Sequence, residues 1–244
     1  MDVQGAVRRV ESDLRGLADP VRAASGRSYL KSDLVHLGVP VPAIRKVASG
    51  AVRWEASRAE LVALAGGLWT VTDGGVPVHE LRMAAIEVLM RRVTLLEAGD
   101  LPFAERLIRA SGTWAYVDGI AVKIVGDLVL RTPALAEVLD VWVGDENFWI
   151  RRTALLALLP AIRVGRGDLD RLSHYGDELI EEREFFIRKA LGWVLRELSK
   201  RDPEWVIAWV APRVKIISGV TMREAVRRLP EPDAARLLES YRSR

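Results

Sequence analysis

Residues 149–155 read WIRRTAL, and residues 186–192 read FIRKALG. Each block has an aromatic residue, an isoleucine, two basic residues and then small or apolar residues. Related blocks recur along the chain at steps of 37, 35, 34, 37 and 35 residues, and their centres are Arg45, Arg82, Val117, Arg151, Arg188 and Arg223. Internal repetition with a period in this range indicates a helical-repeat architecture.

The segments around these blocks have helical periodicity. The apolar residues of the first segment recur at spacings of 4, 3, 4 and 3, and they are Val3, Val7, Val10, Leu14 and Leu17. Asp100 and Asp202 come just before prolines and predict helix starts. Thr221, with a glutamate three residues later at Glu224, predicts a capping-box start. Runs of alternating apolar and polar residues, which would predict strands, do not stand out.

These patterns predict an all-α fold, a right-handed α-solenoid of about six HEAT-like helical repeats that forms a single domain over residues 1–244. One helical pair cannot bury its apolar side alone, so such pairs stack into a curved array with a concave and a convex face.

Composition narrows the function classes. The chain has 244 residues and no cysteine, which excludes disulfides and a thiol nucleophile. The three histidines are scattered, so we expect neither a metal site nor a cofactor. The longest apolar stretch, residues 153–162, is interrupted by Pro160 and is too short for a bilayer. With charged residues near the start and no signal-peptide pattern, a cytoplasmic protein is expected.

The charges leave two interpretations open. Lysine and arginine number 36 against 33 acidic residues, a net charge of +3. Segregated onto one face, these bases would suit a polyanion, whereas an even distribution would be an ordinary solvated surface.

Equivalent positions of stacked repeats face the same way, which places three charged residues in a row. Asp118 follows its repeat centre, Arg152 occupies the same position one repeat later, and Lys189 the next. Trp114 and Trp193 each lie one helical turn from this row. The alternative is structural, because such charges also form ladders between repeats and tryptophan is usually a core residue.

Several local sequences resemble the AlkD-like DNA glycosylase family. They are GTWAYVD at 112–118, NFWIRR at 147–152, EFFIRKALGWVLRE at 184–197, and the N-terminal segments YLK at 29–31, LGV at 37–39 and PAIR at 42–45. The resemblance extends from Tyr29 to Arg228 in the order of the family. Members of that family are HEAT-like solenoids that remove alkylated bases from DNA.

The resemblance implies a site for this sequence. Asp118 matches the catalytic carboxylate, Trp114 and Trp193 match the two aromatic residues, and Arg152 matches the active-site arginine. The candidate DNA-binding residues, on the concave face, are Arg152, Lys189, Arg188, Arg45, Lys31 and Tyr29. Many members have a tryptophan doublet followed by Asp-Ser, whereas this chain departs from the pattern at Thr113, Ala115 and Tyr116. These changes concern substrate preference more than activity.

The function expected from the resemblance is base excision repair. The enzyme would be a monomeric, monofunctional glycosylase, a hydrolase that cleaves the N-glycosidic bond of N3- or N7-alkylated purines such as 3-methyladenine and 7-methylguanine. Its partner would be double-stranded DNA, at the nucleoid, and no cofactor is needed. Tolerance of bulky adducts would suit bacterial self-resistance to a DNA-alkylating antibiotic.

Two other functions remain open. One is a non-catalytic HEAT-like protein that binds distorted or branched DNA. The other is a scaffold for protein interactions, and DNA affinity that falls steeply with salt would count against it.

Overall fold

The computed structural model describes residues 2–52 and 55–244. These residues form helices joined by short connections, which confirms the predicted all-α fold. The chain divides into two compact units, Met1–Asp100 and Leu101–Arg244. The prediction of one domain stays a prediction.

The first unit is built on four mutually packed helices and a peripheral one. Its helices are α1 (Val3–Gly16), α2 (Pro20–Leu30), α3 (Val41–Ala51), α4 (Arg58–Trp69) and α5 (His79–Arg91), followed by 3₁₀ turns at Val93–Leu95 and Ala98–Asp100. Helices α1, α3, α4 and α5 pack together. Leu14, Ile44, Leu64 and Leu81 are buried in their common core. Because α2 contributes no buried residue, its position depends on its cap and on the loop that follows it.

A two-residue hairpin interrupts the helices of the first unit. Strands β1 (Thr72–Asp73) and β2 (Val76–Pro77) pair antiparallel around Gly74 and Gly75. Both glycines have positive φ, 58° and 84°, which a two-residue hairpin turn of this kind requires. The strands are too short to be visible as an alternating pattern in the sequence.

The second unit is a series of short helices. They are α6 (Leu101–Arg109), α7 (Trp114–Gly119), α8 (Gly126–Arg131), α9 (Ala136–Trp142), α10 (Phe148–Leu156), α11 (Leu159–Arg163), α12 (Leu169–Leu179), α13 (Phe185–Leu198), α14 (Pro203–Val210), α15 (Gly219–Ala225) and α16 (Glu231–Arg242), with 3₁₀ turns at Pro133–Leu135, Ala211–Arg213 and Val226–Arg228. Helices α7 and α8 are joined without a break by a π-helical segment, Ile120–Val125.

Several side-chain contacts in the second unit join residues that are 35 or 36 positions apart in sequence. Arg109 pairs with Asp145 over 36 residues, and Arg213 pairs with Asp177 over the same distance. The Tyr175 hydroxyl donates to a carboxylate 35 residues earlier. Constant separation of contacting residues means that successive helical pairs stack in one register, as in a solenoid.

Each of the six sequence blocks is centred within a helix. The block around Arg151 begins α10 and the block around Arg188 begins α13. The others lie in α3, α5, α7 and α15. The repeat count of six stays a prediction.

The expected helix starts are confirmed in two places and wrong in one. A 3₁₀ turn ends at Asp100 and α6 follows, and the Asp202 carboxylate accepts the backbone N–H of Trp205 at the start of α14. Thr221, however, is not an N-cap. The cap of α15 is Ser218, whose hydroxyl accepts the Thr221 N–H at 3.0 Å. Thr221 lies inside the first turn. Across residues 2–52 and 55–244, none of the helices combines the length and apolarity that a bilayer crossing demands.

Candidate functional site

Asp118 lies on a helix whose sequence determines both its start and its orientation. Helix α7 begins at Trp114, because the Thr113 hydroxyl accepts the backbone N–H of Ala115 at 3.3 Å and caps the helix. Tyr116 is completely buried and anchors α7 in the core, whereas Asp118 is partly exposed. Two of the departures from the family pattern, Thr113 and Tyr116, therefore have structural tasks in this chain.

The carboxylate of Asp118 is held by Arg152 of the neighbouring helix α10. Nε of Arg152 donates to Oδ1 at 2.8 Å and Nη2 donates to Oδ2 at 2.9 Å. Nη1 of Arg152 donates to the backbone carbonyl of Phe186. The Arg152 side chain is 4% exposed and that of Asp118 is 22% exposed. The guanidinium is thus buried, and the carboxylate is the member of the pair that reaches the surface.

The Arg152 guanidinium lies near Phe186, which belongs to an aromatic cluster at the starts of α10 and α13. The Phe186 ring centroid lies 5.9 Å from its Cζ and 5.0 Å from the ring of Trp149. Phe148 packs against Trp149 at 4.4 Å, and Phe185 is 53% exposed beside Phe186. Since these rings exclude water from one side of the pair, they strengthen its charge-assisted hydrogen bonds.

Lys189, the next member of the predicted row, is paired with a carboxylate that the sequence interpretation did not use. Its ammonium binds Glu224 of α15, which also binds the guanidinium of Arg196. Burial opposes ionisation of Glu224, but Lys189 and the nearby guanidiniums, including that of Arg227, hold its pKa below the usual value. Glu224 lies 35 residues after Lys189, so the row continues as Asp118, Arg152, Lys189 and Glu224.

The first base of each basic dipeptide has a different task from the second. Nη1 of Arg151 donates to the carbonyl of Asp145, and Nε of Arg188 donates to that of Glu182, both at 2.6 Å and both six residues back. Arg151 also forms an ion pair with Glu182 at 3.0 Å. These guanidiniums brace the loops before α10 and α13. DNA contact by Arg188 stays a prediction.

The two tryptophans of the expected site lie where the sequence spacing puts them. Trp114 opens α7 one turn before Asp118, and Trp193 follows Lys189 by one turn of α13. Both are partly exposed, unlike ordinary core tryptophans. Their convergence with Asp118 on one patch stays a prediction.

The remaining candidates belong to the first unit. Tyr29 is 75% exposed near the end of α2, and Lys31 ends that helix with φ 48°, a left-handed conformation. The Arg45 side chain is 61% exposed and pairs with Glu87 at 2.8 Å.

A buried glutamate holds the loop that follows Lys31. The Glu80 carboxylate accepts the backbone N–H groups of Leu37 at 2.8 Å and Gly38 at 2.7 Å. Gly38 has φ 82°, and a Cβ there would lie 2.1 Å from the carbonyl oxygen of Asp19. The loop therefore depends on glycine at this position.

Glu224 and Arg196 are the residues that sequence reasoning missed. A signal was present, because Glu224 occupies the same position in its block as Lys189 does in the preceding one. Within residues 2–52 and 55–244, no group of three or more histidine, cysteine or acidic side chains is placed to hold a metal ion.

Comparisons with known proteins bear on the family and the fold of this chain. The sequence matches the DNA alkylation repair enzyme family over residues 10–229. The fold is similar to a solved structure titled "Predicted DNA alkylation repair enzyme from Enterococcus faecalis", with a TM-score of 0.76 and 24% sequence identity, covering 88% of this chain and 97% of that one. No curated protein sequence is significantly similar to this chain. By its match over most of its length, the chain belongs to the DNA alkylation repair enzyme family.

Proposed function

We propose that this protein is a DNA glycosylase that hydrolyses the N-glycosidic bond of cationic N3- or N7-alkylated purines in duplex DNA. The observation that carries the proposal is the partly exposed Asp118 carboxylate, held by both oxygens on a buried Arg152. Membership of a family of alkylation repair enzymes supports the same class of substrate.

The chemistry of alkylated purines explains why a carboxylate is sufficient. A purine alkylated at N3 or N7 is positively charged and is already a good leaving group, so no strong general acid is required. The enzyme must stabilise the sugar cation that forms and orient a water molecule. At about 4 Å and an effective dielectric constant of about 20, one charge pair is worth roughly 4 kcal/mol. That corresponds to about three decades of rate.

Although it is paired with Arg152, Asp118 can still stabilise the sugar cation and orient a water molecule. Each carboxylate oxygen accepts one hydrogen bond from the guanidinium and has a second lone pair for water or for the sugar. Because the guanidinium lies on the buried side, the negative oxygens are nearer to bound DNA than the positive charge is. Arg152 has two further N–H groups beyond the three it uses. Because its side chain is only 4% exposed, contact of Arg152 with a DNA phosphate stays a prediction.

Trp114 and Trp193 complete the proposed site. Both residues are partly exposed, and we propose that their indoles contact the deoxyribose and the cationic base. A site built on helix surfaces need not enclose the lesion, which is why we include bulky N3 or N7 adducts among the proposed substrates.

The test is release of 7-methylguanine and 3-methyladenine from methylated duplex DNA by wild type and Asp118→Asn. We expect the variant to lose about 100-fold or more in single-turnover rate, because the charge that stabilises the sugar cation is gone. Asp177→Asn is the matched control, since Asp177 is also held by both oxygens on an arginine, Arg213, in the same unit.

Equal rates for wild type and Asp118→Asn would remove Asp118 from the mechanism. Binding without base release by wild type would favour the non-catalytic DNA-binding function. A parallel assay with a bulky N3-adenine adduct decides whether large lesions are substrates.

A further inference from the structure

Two cations bind the Glu224 carboxylate. Lys189 binds Oε1 and Arg196 binds Oε2, so each oxygen has its own cationic partner. Arg227 is close enough to help lower the Glu224 pKa. One negative charge is therefore bound by two positive charges, and the cluster has an excess of positive charge.

The cluster lies along one stripe of α13. Lys189, Trp193 and Arg196 are spaced by four and three residues, which places them on one face of the helix. The Lys189 side chain is 43% exposed and Arg196 is 21% exposed, whereas Glu224 is only 10% exposed. The cations are therefore accessible from solvent, and the carboxylate that neutralises them lies below.

Close packing of two helices determines the position of Glu224. A Cβ at Gly192 would lie 2.6 Å from the Cβ of Glu224 and 3.0 Å from the carbonyl oxygen of Thr221. Glycine thus permits α13 and α15 to approach so closely that Glu224 lies against the cation stripe. Its carboxylate presents two anionic oxygens to an ammonium and a guanidinium, which is also what the non-bridging oxygens of a phosphodiester do.

We propose that Glu224 is an internal competitor for a DNA phosphate at Lys189 and Arg196. The phosphate binds these two side chains at the expense of their contacts with Glu224, and Glu224 thereby limits the affinity for undamaged duplex. The inference rests on the proposed function only in requiring that the protein binds duplex DNA. It does not require base release.

A purely orienting role of Glu224 predicts the opposite change in DNA affinity when Glu224 is removed. If Glu224 only orients Lys189 and Arg196 for DNA, its removal weakens binding. If Glu224 competes with the phosphate, its removal strengthens binding, and Lys189 then contributes more to DNA affinity than it does in wild type.

The experiment measures the affinity for an undamaged duplex over a series of salt concentrations. We expect Glu224→Gln to bind about 10-fold tighter at low salt and to steepen the slope of log K against log salt by about 0.9, equivalent to one more neutralised phosphate. Lys189→Gln should cost more affinity in the Glu224→Gln background than in wild type.

Two further variants test whether tighter DNA binding has a cause other than loss of the Glu224 contacts. Asp177→Asn removes the same charge from another ion pair, and its salt slope should stay at the wild-type value. Glu224→Asp keeps the charge but shortens its reach, so it should also tighten binding, and it serves where Glu224→Gln does not fold.

Equal or weaker binding by folded Glu224→Gln or Glu224→Asp would overturn the inference, as would an equal cost of Lys189→Gln in both backgrounds. Wild type that fails to bind undamaged duplex would overturn it too. Tighter binding by the Glu224 variants, without base release by wild type, would support it while contradicting only the catalytic proposal.

Discussion

The two ion pairs of the row, Asp118 with Arg152 and Lys189 with Glu224, have opposite arrangements. In the first pair the cation is buried, 4% exposed, and the carboxylate is 22% exposed. In the second the carboxylate is buried, 10% exposed, and the ammonium is 43% exposed. The same repeat position thus presents a negative group to solvent in the first pair and a positive group in the second.

This difference shows that burial, rather than charge alone, decides what an ion pair offers to a ligand. The buried partner is held by further contacts, such as the bond from Arg152 to the Phe186 carbonyl, and is costly to separate from its counter-ion. The exposed partner can exchange water for a ligand at lower cost. Asp118 is therefore suited to a sugar cation, and Lys189 to a phosphate.

Among the changes that test this difference between the two pairs, removal of the buried Arg152 guanidinium should have the largest effect. We expect Arg152→Met to release base about 100-fold more slowly, because the Asp118 carboxylate loses the group that orients it, and to lose about 2–3 kcal/mol of unfolding free energy. Arg152→Lys should not restore the rate, since an ammonium cannot bind both oxygens in the same fork. Base release and urea unfolding are the measurements. A wild-type rate in Arg152→Met would show that Asp118 works without its partner.

The second pair can be disturbed through the backbone. Gly192→Ala would put a Cβ 2.6 Å from that of Glu224, so α13 and α15 must separate, and we expect a loss of about 2 kcal/mol. Gly50→Ala is the control, because a Cβ at this helical glycine meets no side chain or neighbouring element of residues 2–52 and 55–244 within 4 Å. It should be neutral or stabilising by up to about 1 kcal/mol. Chemical denaturation that ranks the two variants the other way would contradict the packing explanation.

The dependence of unfolding free energy on acidic pH distinguishes His79 of the first unit from Glu224 of the row. Burial, with a smaller contribution from the nearby His36, lowers the pKa of His79 to about 3 from the ordinary histidine value of 6.5. Since the folded pKa is the lower one, this stabilisation is complete above pH 6.5 and decreases as the pH falls towards 3. The slope for this one group approaches about 1.4 kcal/mol per pH unit.

The paired variants test that assignment. Between pH 6 and pH 5, His79→Gln should flatten the dependence of unfolding free energy on pH by up to about 1 kcal/mol per pH unit. Glu224→Gln should leave the slope in this range unchanged, because the stability from a carboxylate with a lowered pKa is lost only below its unfolded value of 4.5. Part of the slope should remain in His79→Gln, because burial also lowers the pKa of His36. A slope as steep as that of wild type would contradict the assignment to His79.

The sequence was sufficient for the helical fold and for the register that joins Asp118 to Arg152, because a constant repeat step converts a position in one helix into a position in the next. It was insufficient at Glu224, since the local pattern of Thr221 and Glu224 is that of a capping box. The structure uses Ser218 as the cap and sends the Glu224 carboxylate to Lys189. That choice is made by a contact 35 residues away in sequence, which a short pattern does not contain.

The same limit applied to the basic dipeptides. Two adjacent bases on a helix point about 100° apart, and the sequence pattern does not say which one faces the row. In the structure, Arg151 and Arg188 bind loop carbonyls, so the second base of each dipeptide is the one that belongs to the row.

The π-helical segment Ile120–Val125 changes the relative direction of the side chains that precede and follow it. Asp118, just before it, must face Arg152, while Gly126, just after it, must face Pro160, where a Cβ would lie 2.7 Å from the Pro160 ring. A uniform α-helix ties the directions of two such residues together, but a wider turn holds one additional residue and rotates the helix beyond it. The segment therefore gives Asp118 and Gly126 a relative direction that a uniform α-helix of the same length would not give.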